Sequence, residues 1–375
     1  MADTLHIISF DIPYPPNYGG VIDVYYKLQA LHKQGVEIIL HCFEYRRQHA
    51  DELNRYCKKV FYYKRDVSWK RQLSIIPYVV LSRKNNDLIN NLLKDEHPIL
   101  FEALHTCYYL NDKRLARRIK IYRASNIEHH YYWHLFKSEK KSLAKSFFYL
   151  LESIKLYNFQ KRLKYADVSL MVSQKDCDYL QKKIPNNDVR YMPSFQEHNV
   201  VSSLTGKGGY ALYHGNLSVV ENEKAALYLV EKAYGGSDIP VIIAGLNPGK
   251  KLTEAVNKFS NIQLIASPSH DEMNRLIEEA HINVLITFQP TGLKLKLLNV
   301  LFSGRFCLVN GMMLAGTGLD SLCVVSEIAF EELQKNARIL FEKDFTPEEI
   351  GKRSKLLSIN YSNDVNAKKI INIIS

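Results

Sequence analysis

The sequence predicts an α/β protein made of two doubly wound, Rossmann-like domains that face a central cleft. Three observations carry this expectation. At 375 residues the chain is about twice the length of a usual single domain. Short β-branched and aromatic runs alternate along it with longer amphipathic runs, the pattern of parallel sheets covered by helices. The alternation breaks once, at Val200–Gly209, where Ser202, Ser203, Gly206, Gly208 and Gly209 read as a flexible hinge.

Taken in order, the first series of strands is expected near Leu5–Phe10, Val36–Phe43, Lys59–Lys64, Pro98–Leu104, Ile119–Ser125, Asp167–Ser173 and Val189–Pro193. The second is expected near Ala211–Gly215, Val241–Gly245, Ile262–Ala266, Ile282–Phe288, Phe306–Asn310 and Leu322–Val325. Several are near-continuous apolar runs, as strands buried on both faces require. The domains are then 1–200 and 201–358. The closing segment 359–375 carries apolar Val365, Ile370, Ile371 and Ile374 and is expected to form a helix that packs back on the first domain. From Tyr131 to Tyr165 neither glycine nor proline occurs, and Lys137, Lys140, Lys141 and Lys145 alternate with Phe147, Phe148, Leu151 and Ile154. This reads as a long surface helix, its basic side either solvated or set against an anionic membrane or a lipid-linked acceptor.

Composition narrows the class. Hydrophobic content of 46% and charged content of 24% are those of a globular protein. The longest apolar runs, such as Ile75–Leu81, fall short of a membrane span, and the N-terminus enters a strand pattern without a leader, so a cytoplasmic protein is expected, peripheral at most to the inner face of the membrane. The six cysteines form no C-x-x-C pair, which argues against a disulfide framework or a zinc site. Residues 1–200 hold 32 Lys and Arg against 21 Asp and Glu, while the remainder balances 18 against 18. The whole excess of +11 therefore lies in the first domain, where it would attract phosphates or an anionic surface. No nucleic-acid motif accompanies it, so nucleic acid is not an expected partner.

Four clusters bear chemistry. Asp11–Gly20 ends in Gly19-Gly20 ahead of a helix, a turn that lets backbone N–H groups approach an anion, without the G-x-G-x-x-G of dinucleotide enzymes. Pro290–Asn299 opens a helix expected from Thr291 to Gly304. Helical spacing aligns Gly292, Lys296, Asn299 and Ser303 on one face, with Lys294 on another side, and two lysines in the opening turns oppose the macrodipole unless an anion sits at that N-terminus. His214, Gly215 and Asn216 close the second domain's first strand, where a ligand can approach the backbone, although a lone histidine beside such a strand is commonly just packed. Asn126, Glu128, His129 and His130 bunch after the strand Ile119–Ser125; they lack the i, i+4 histidine pair of zinc hydrolases, and no metal is expected. Asp176-Cys177-Asp178 reads as helix-terminal acid rather than as a metal-binding D-x-D.

The order Pro-Pro-Asn-Tyr-Gly-Gly, Asn126–Tyr132, His214–Ser218, Ala244–Pro248 and Thr291–Arg305 resembles the bacterial members of glycosyltransferase family 4, and its mannosyltransferases most of all. That resemblance implies the GT-B fold, a nucleotide-sugar donor, no metal or other cofactor, and transfer with retention of configuration to a cell-surface glycan or lipid-linked acceptor. It implies donor-binding roles for Gly19, Gly20, His214, Gly215, Asn216, Thr291, Gly292, Leu293, Lys294 and Asn299, and catalytic roles for Asn126, Glu128 and Lys296. Ser125 stands where the family has histidine, and Thr291 and Asn299 stand where it has glutamates. Those departures admit a GT-B-like protein that binds a glycan or partner without catalysis. A nucleotide-sugar epimerase is the third reading, with Glu128 and the neighbouring histidines as its acid–base groups.

Overall fold

The computed structural model describes residues 3–140, 142–288 and 295–375. The chain divides into two compact units, Met1–Gln196 with Tyr361–Ser375, and Glu197–Asn360. Unit 1 is built on β1 Thr4–Ser9, β2 Glu37–Glu44, β3 Lys59–Lys64, β4 Ile99–Glu102, β5 Lys120–Ala124, β6 Val168–Met171 and β7 Asp188–Tyr191. All pair in parallel, in the order β3-β2-β1-β4-β5-β6-β7. Alternate side chains of a strand face opposite sides of the sheet. Leu5 and Ile7 of β1 enter one core with Leu100, while Ile8 enters the other with Ile99 and Phe101. Two apolar faces explain the near-continuous apolar strands.

The helices of unit 1 are α1 Gly19–Lys33, α2 Tyr78–Leu81, α3 Asn86–Leu92, α4 Glu128–Ser138, α5 Leu143–Phe159 and α6 Gln174–Lys183. The stretch Tyr131–Tyr165 is thus not one long helix. Glu139 leaves the helical region with ψ of 103°, and Ser142 Oγ accepts from the Lys145 N–H at 3.4 Å to cap a new helix. A serine that competes for its own backbone starts a helix where periodicity alone sees continuity. The chain's last helix, Asn363–Ile374, also belongs to unit 1: Ala367, Ile370 and Ile374 share a core with Val24, Leu28 and Leu31 of α1.

Unit 2 repeats the plan with β8 Ala211–Asn216, β9 Val241–Leu246, β10 Ile262–Ala266, β11 Ile282–Leu285, β12 Phe306–Val309 and β13 Val324–Val325, parallel in the order β10-β9-β8-β11-β12-β13. Its helices are α7 Val220–Tyr228, α8 Lys250–Val256, α9 His270–Glu279, α10 Leu295–Ser303, α11 Gly311–Leu314, α12 Phe330–Phe341 and α13 Pro347–Asn360, which makes the chain's last helix α14.

The glycine-rich stretch at 200–209 is not a free hinge. The Ser202 N–H donates to Phe302 O at 2.7 Å, and Gly206 and Phe345 exchange backbone bonds of 2.9 and 3.1 Å. Ser203 is buried and accepts from Arg353 at 3.2 Å. The glycines serve close packing: Gly206 has φ of +75°, and a Cβ on Gly208 would run into the backbone of Glu279–His281. The units part upstream of this stretch, between Gln196 and Glu197.

In each sheet the strand order reverses once, between β1 and β4 and between β8 and β11. Open α/β sheets bind ligands outside the carboxyl ends of their strands at such a switch point.

Candidate functional site

At the switch point of unit 2, β8 ends on His214, Gly215 and Asn216, and α10 follows β11 with Lys296 in its first turn. Lys296 Nζ donates to Asn222 Oδ1 at 2.8 Å, and Asn222 Nδ2 donates in turn to the Asn216 carbonyl at 2.8 Å. The ammonium lies 5.4 Å from the centroid of the Tyr213 ring. Gly215 makes this approach possible, because a Cβ there would collide with Lys296 Nζ and Cε. Gly245 pairs with Gly215 across the strands, and a Cβ on it would strike the Gly215 carbonyl.

Desolvation lowers the Lys296 pKa from the ordinary lysine value to about 8. No carboxylate pairs with it among the described residues. A desolvated cation without a counter-ion is costly, and an anionic ligand removes that cost. His214 beside it is buried, and its Nε2 makes no hydrogen bond among the described residues. Burial first, then the Lys296 charge, push its pKa down to about 3, so it is neutral at pH 7. Asn299 shares the Lys296 face of α10, but its Oδ1 accepts from His198 Nε2 at 2.6 Å and from Ser303 Oγ at 3.3 Å. Thr291, Gly292, Leu293 and Lys294 lie outside the described residues.

At the switch point of unit 1, β1 runs into the turn Phe10–Tyr18. Asp11 accepts from the Ile12 N–H at 2.9 Å and from Tyr18 Oη at 2.7 Å. Arg83 donates twice to the Phe10 carbonyl, at 3.1 and 2.9 Å, and Arg47 reaches Asn17 Oδ1 at 2.9 Å. Gly19 and Gly20 are the first two residues of α1, whose N-cap Tyr18 makes no side-chain capping bond, so the opening N–H groups are left to a ligand or to water. Gly20 also lies against Phe10, where an added Cβ would come within 2.6 Å of the ring.

Sequence reasoning missed His105. It follows β4 in the turn Leu104–Tyr109, directly after Leu104 and Ala103. Ala103 holds φ of 60° and ψ of 161°, a region that side chains avoid and that is populated where the surroundings impose it, often at functional sites. The His105 ring lies edge-on to Phe10 at 6.1 Å, and its Nε2 is 3.3 Å from Glu128 Oε2. Neither His105 nitrogen, nor Asn126 Oδ1 at the end of β5, makes a hydrogen bond among the described residues. The one available signal was its position immediately after a buried strand. Gly20, Phe10, His105 and Glu128 thus form a contiguous group. His129 turns elsewhere: its Nε2 meets Tyr179 Oη at 3.0 Å, and with Trp133, Tyr157 and Lys183 it lines a pocket of about 440 Å³. Ser173 caps α6 by accepting from the Asp176 N–H at 3.1 Å, which accounts for the acid in that turn.

No protein-family model matches the chain. An uncharacterized 44.6 kDa protein in the cps region of Klebsiella pneumoniae is 26% identical over 339 residues, 84% of each chain. Among solved structures, the chain is similar to sucrose-phosphate synthase of Thermosynechococcus elongatus, with a TM-score of 0.68, 13% identity and coverage of 99% of this chain and 98% of that one. It is similar to S. aureus TarM, solved with Fondaparinux, alpha-GlcNAc-glycerol and UDP, with a TM-score of 0.67, 9% identity and 100% coverage of both. It is also similar to Anabaena HepE, solved with UDP and glucose, with a TM-score of 0.63, 10% identity and coverage of 99% and 98%. At such identities the likeness is one of fold, and the fold is GT-B.

Proposed function

We propose that the chain is a metal-independent, retaining glycosyltransferase that moves a hexosyl group from a nucleotide sugar to a glycan or lipid-linked acceptor on the cytoplasmic side of a membrane. One observation carries the reading: the desolvated Lys296 ammonium, with no carboxylate partner among the described residues, stands at a GT-B switch point against Gly215 and Asn222. A donor diphosphate would supply the missing negative charge. As the glycosidic bond to the leaving diphosphate breaks, negative charge builds on the phosphate, and a preorganised cation in a dry site stabilises it without reorganising. Lysine thereby takes the part a divalent cation would otherwise play. On unit 1, Glu128, His105 and Asn126 have the hydrogen-bonding capacity to position sugar hydroxyls. Support for a nucleotide-sugar donor also comes from the UDP in HepE and TarM. Mannose is the sugar that the sequence resemblance favours.

Calorimetric titration with UDP and GDP tests the site. Lys296→Ala should weaken diphosphate binding roughly tenfold to a hundredfold, the worth of one charge-assisted contact. Unchanged affinity would remove the phosphate assignment. A second reading, binding without turnover, draws on Asn299, whose Oδ1 is engaged by His198 where the family resemblance puts a glutamate. Release of UDP or GDP from a sugar conjugate in the presence of acceptor would exclude it.

A further inference from the structure

We infer that unit 1 carries a separate sugar pocket between α4, α5 and α6, which holds an acidic pyranose of the glycan apart from the His105–Glu128 group. Trp133 and Tyr157, both exposed, wall the pocket with His130; the buried His129 forms its floor beside Tyr179, and Lys183 stands at its rim. Its volume of about 440 Å³ lies inside the range of roughly 300–1,000 Å³ that small-molecule sites occupy. Local structure explains why these side chains converge. Glu128 and His129 are successive residues of α4, so they leave the helix about 100° apart. While Glu128 meets His105, the next residue turns toward α5 and α6. Ser153 Oγ donates to the His129 carbonyl at 2.9 Å, and Tyr179 Oη meets His129 Nε2 at 3.0 Å, which ties the three helices around the pocket. The Tyr157 ring stands edge-on to His129, with centroids 5.2 Å apart.

The chemistry of the walls selects the occupant. A pyranose presents weakly polarised C–H bonds on its faces and hydroxyls around its edge. The negative faces of aromatic rings attract the former, and hydrogen-bonding groups set among those rings take the latter. This pocket offers both. His129 Nδ1 makes no hydrogen bond among the described residues. The contact with Tyr179 admits either tautomer of the imidazole, and a sugar hydroxyl, which both donates and accepts, suits either one. An alkyl chain would fill the apolar walls and leave that nitrogen unpaired, which is costly in a buried position. Lys183 sets the charge of the ligand. Its Nζ donates to Tyr157 Oη at 3.2 Å and lies 5.3 and 5.8 Å from the centroids of the Tyr157 and Tyr179 rings. It forms no ion pair among the described residues, while Asp178 on the same helix is engaged by Gln174 at 3.0 Å. An ammonium has three donors, so two remain for a carboxylate carried by the bound ring. The inference deepens the proposed transfer reaction and rests on it for the glycan's part as acceptor; the sugar held here is a unit of that acceptor other than the one that reacts.

The chain has only two tryptophans, Trp69 and Trp133, so Trp69→Phe leaves the emission of the full-length protein reporting on this wall alone. The methyl glycosides of glucuronic, galacturonic and mannuronic acid are titrated into it beside the matching neutral hexosides. At least one uronide should change the emission saturably and bind more tightly than its neutral counterpart. Lys183→Gln should weaken that uronide roughly twofold to fivefold, the worth of an exposed ion pair, and erase its advantage over the hexoside. Tyr157→Ala should weaken both sugars roughly threefold to tenfold, the worth of an aromatic contact, with far-UV dichroism unchanged as the control for the fold. No saturable change with any of the three uronides would overturn the inference. So would a change that acetate reproduces, tighter binding of adenosine than of any sugar, or a uronide preference that survives Lys183→Gln. Titration with UDP and GDP separates this inference from the transfer reading: sugar binding without diphosphate binding would sink the transferase and leave the pocket standing, and diphosphate binding without sugar binding would do the reverse.

Discussion

On the reading proposed above, Lys296 would tie ligand affinity to pH. Burial favours the neutral amine and holds the pKa at about 8. A diphosphate at this site would bind the ammonium form, so its affinity should be nearly flat between pH 7 and 8 and fall up to tenfold per pH unit above it, as linkage requires. Titration calorimetry between pH 7 and 9.5 would show the slope. Lys296→Arg should abolish it, because guanidinium does not titrate in this range. A wild-type affinity that stays constant to pH 9.5 would contradict direct contact between lysine and phosphate. His214 does not disturb the test. Its pKa of about 3 keeps it neutral throughout the interval.

At the scale of elements, the site depends on how closely the end of β8 meets α10. Gly215→Ala should displace the ammonium rather than break the sheet, since the clash falls on the mobile end of the lysine side chain. Diphosphate affinity should then drop about as far as in Lys296→Ala, that is, roughly tenfold to a hundredfold, and the melting temperature should fall as well, because Gly215 holds φ of +158°, where an L side chain is strained. A large fall in melting temperature with intact affinity would mean that the glycine serves the strand instead. This dependence shows what could be read in the sequence. The strands were legible because burial on both faces forces continuous apolar runs. Lys296 and Asn299 were legible because helical spacing aligns them. Asn222 and His105 were not, since each acquires its neighbours only when separate strands and helices are brought together. Nor was the restart of the helix at Ser142, where one side-chain bond outweighs an unbroken apolar periodicity.

At the scale of the molecule, the chain leaves unit 1 at Gln196 and returns to it at Tyr361, so the first unit is completed by Tyr361–Ser375. The return is knitted in by more than apolar contact. Asn363 Nδ2 donates to the Gln196 carbonyl at 2.6 Å, the Gln196 N–H donates to Asn363 Oδ1 at 3.1 Å, and Lys33 Nζ meets Asp364 at 2.7 Å. Ending the chain after Asn360 would strip Ala367, Ile370 and Ile374 from the core and remove the two bonds that Asn363 makes with the Gln196 backbone. The two isoleucines alone contribute about 3–6 kcal/mol, which is comparable with the lower end of an ordinary domain's whole stability. Unit 2, which ends at Asn360, keeps its own core and the Lys296 site. Calorimetry of the shortened chain should therefore lose or sharply lower one transition while a second remains that UDP or GDP still raises. If both transitions survive unchanged, α14 is an appendage of unit 1. If the nucleotide-responsive transition vanishes with the other, unit 2 depends for its stability on the unit the deletion destroyed, and the site cannot be assigned to unit 2 acting alone.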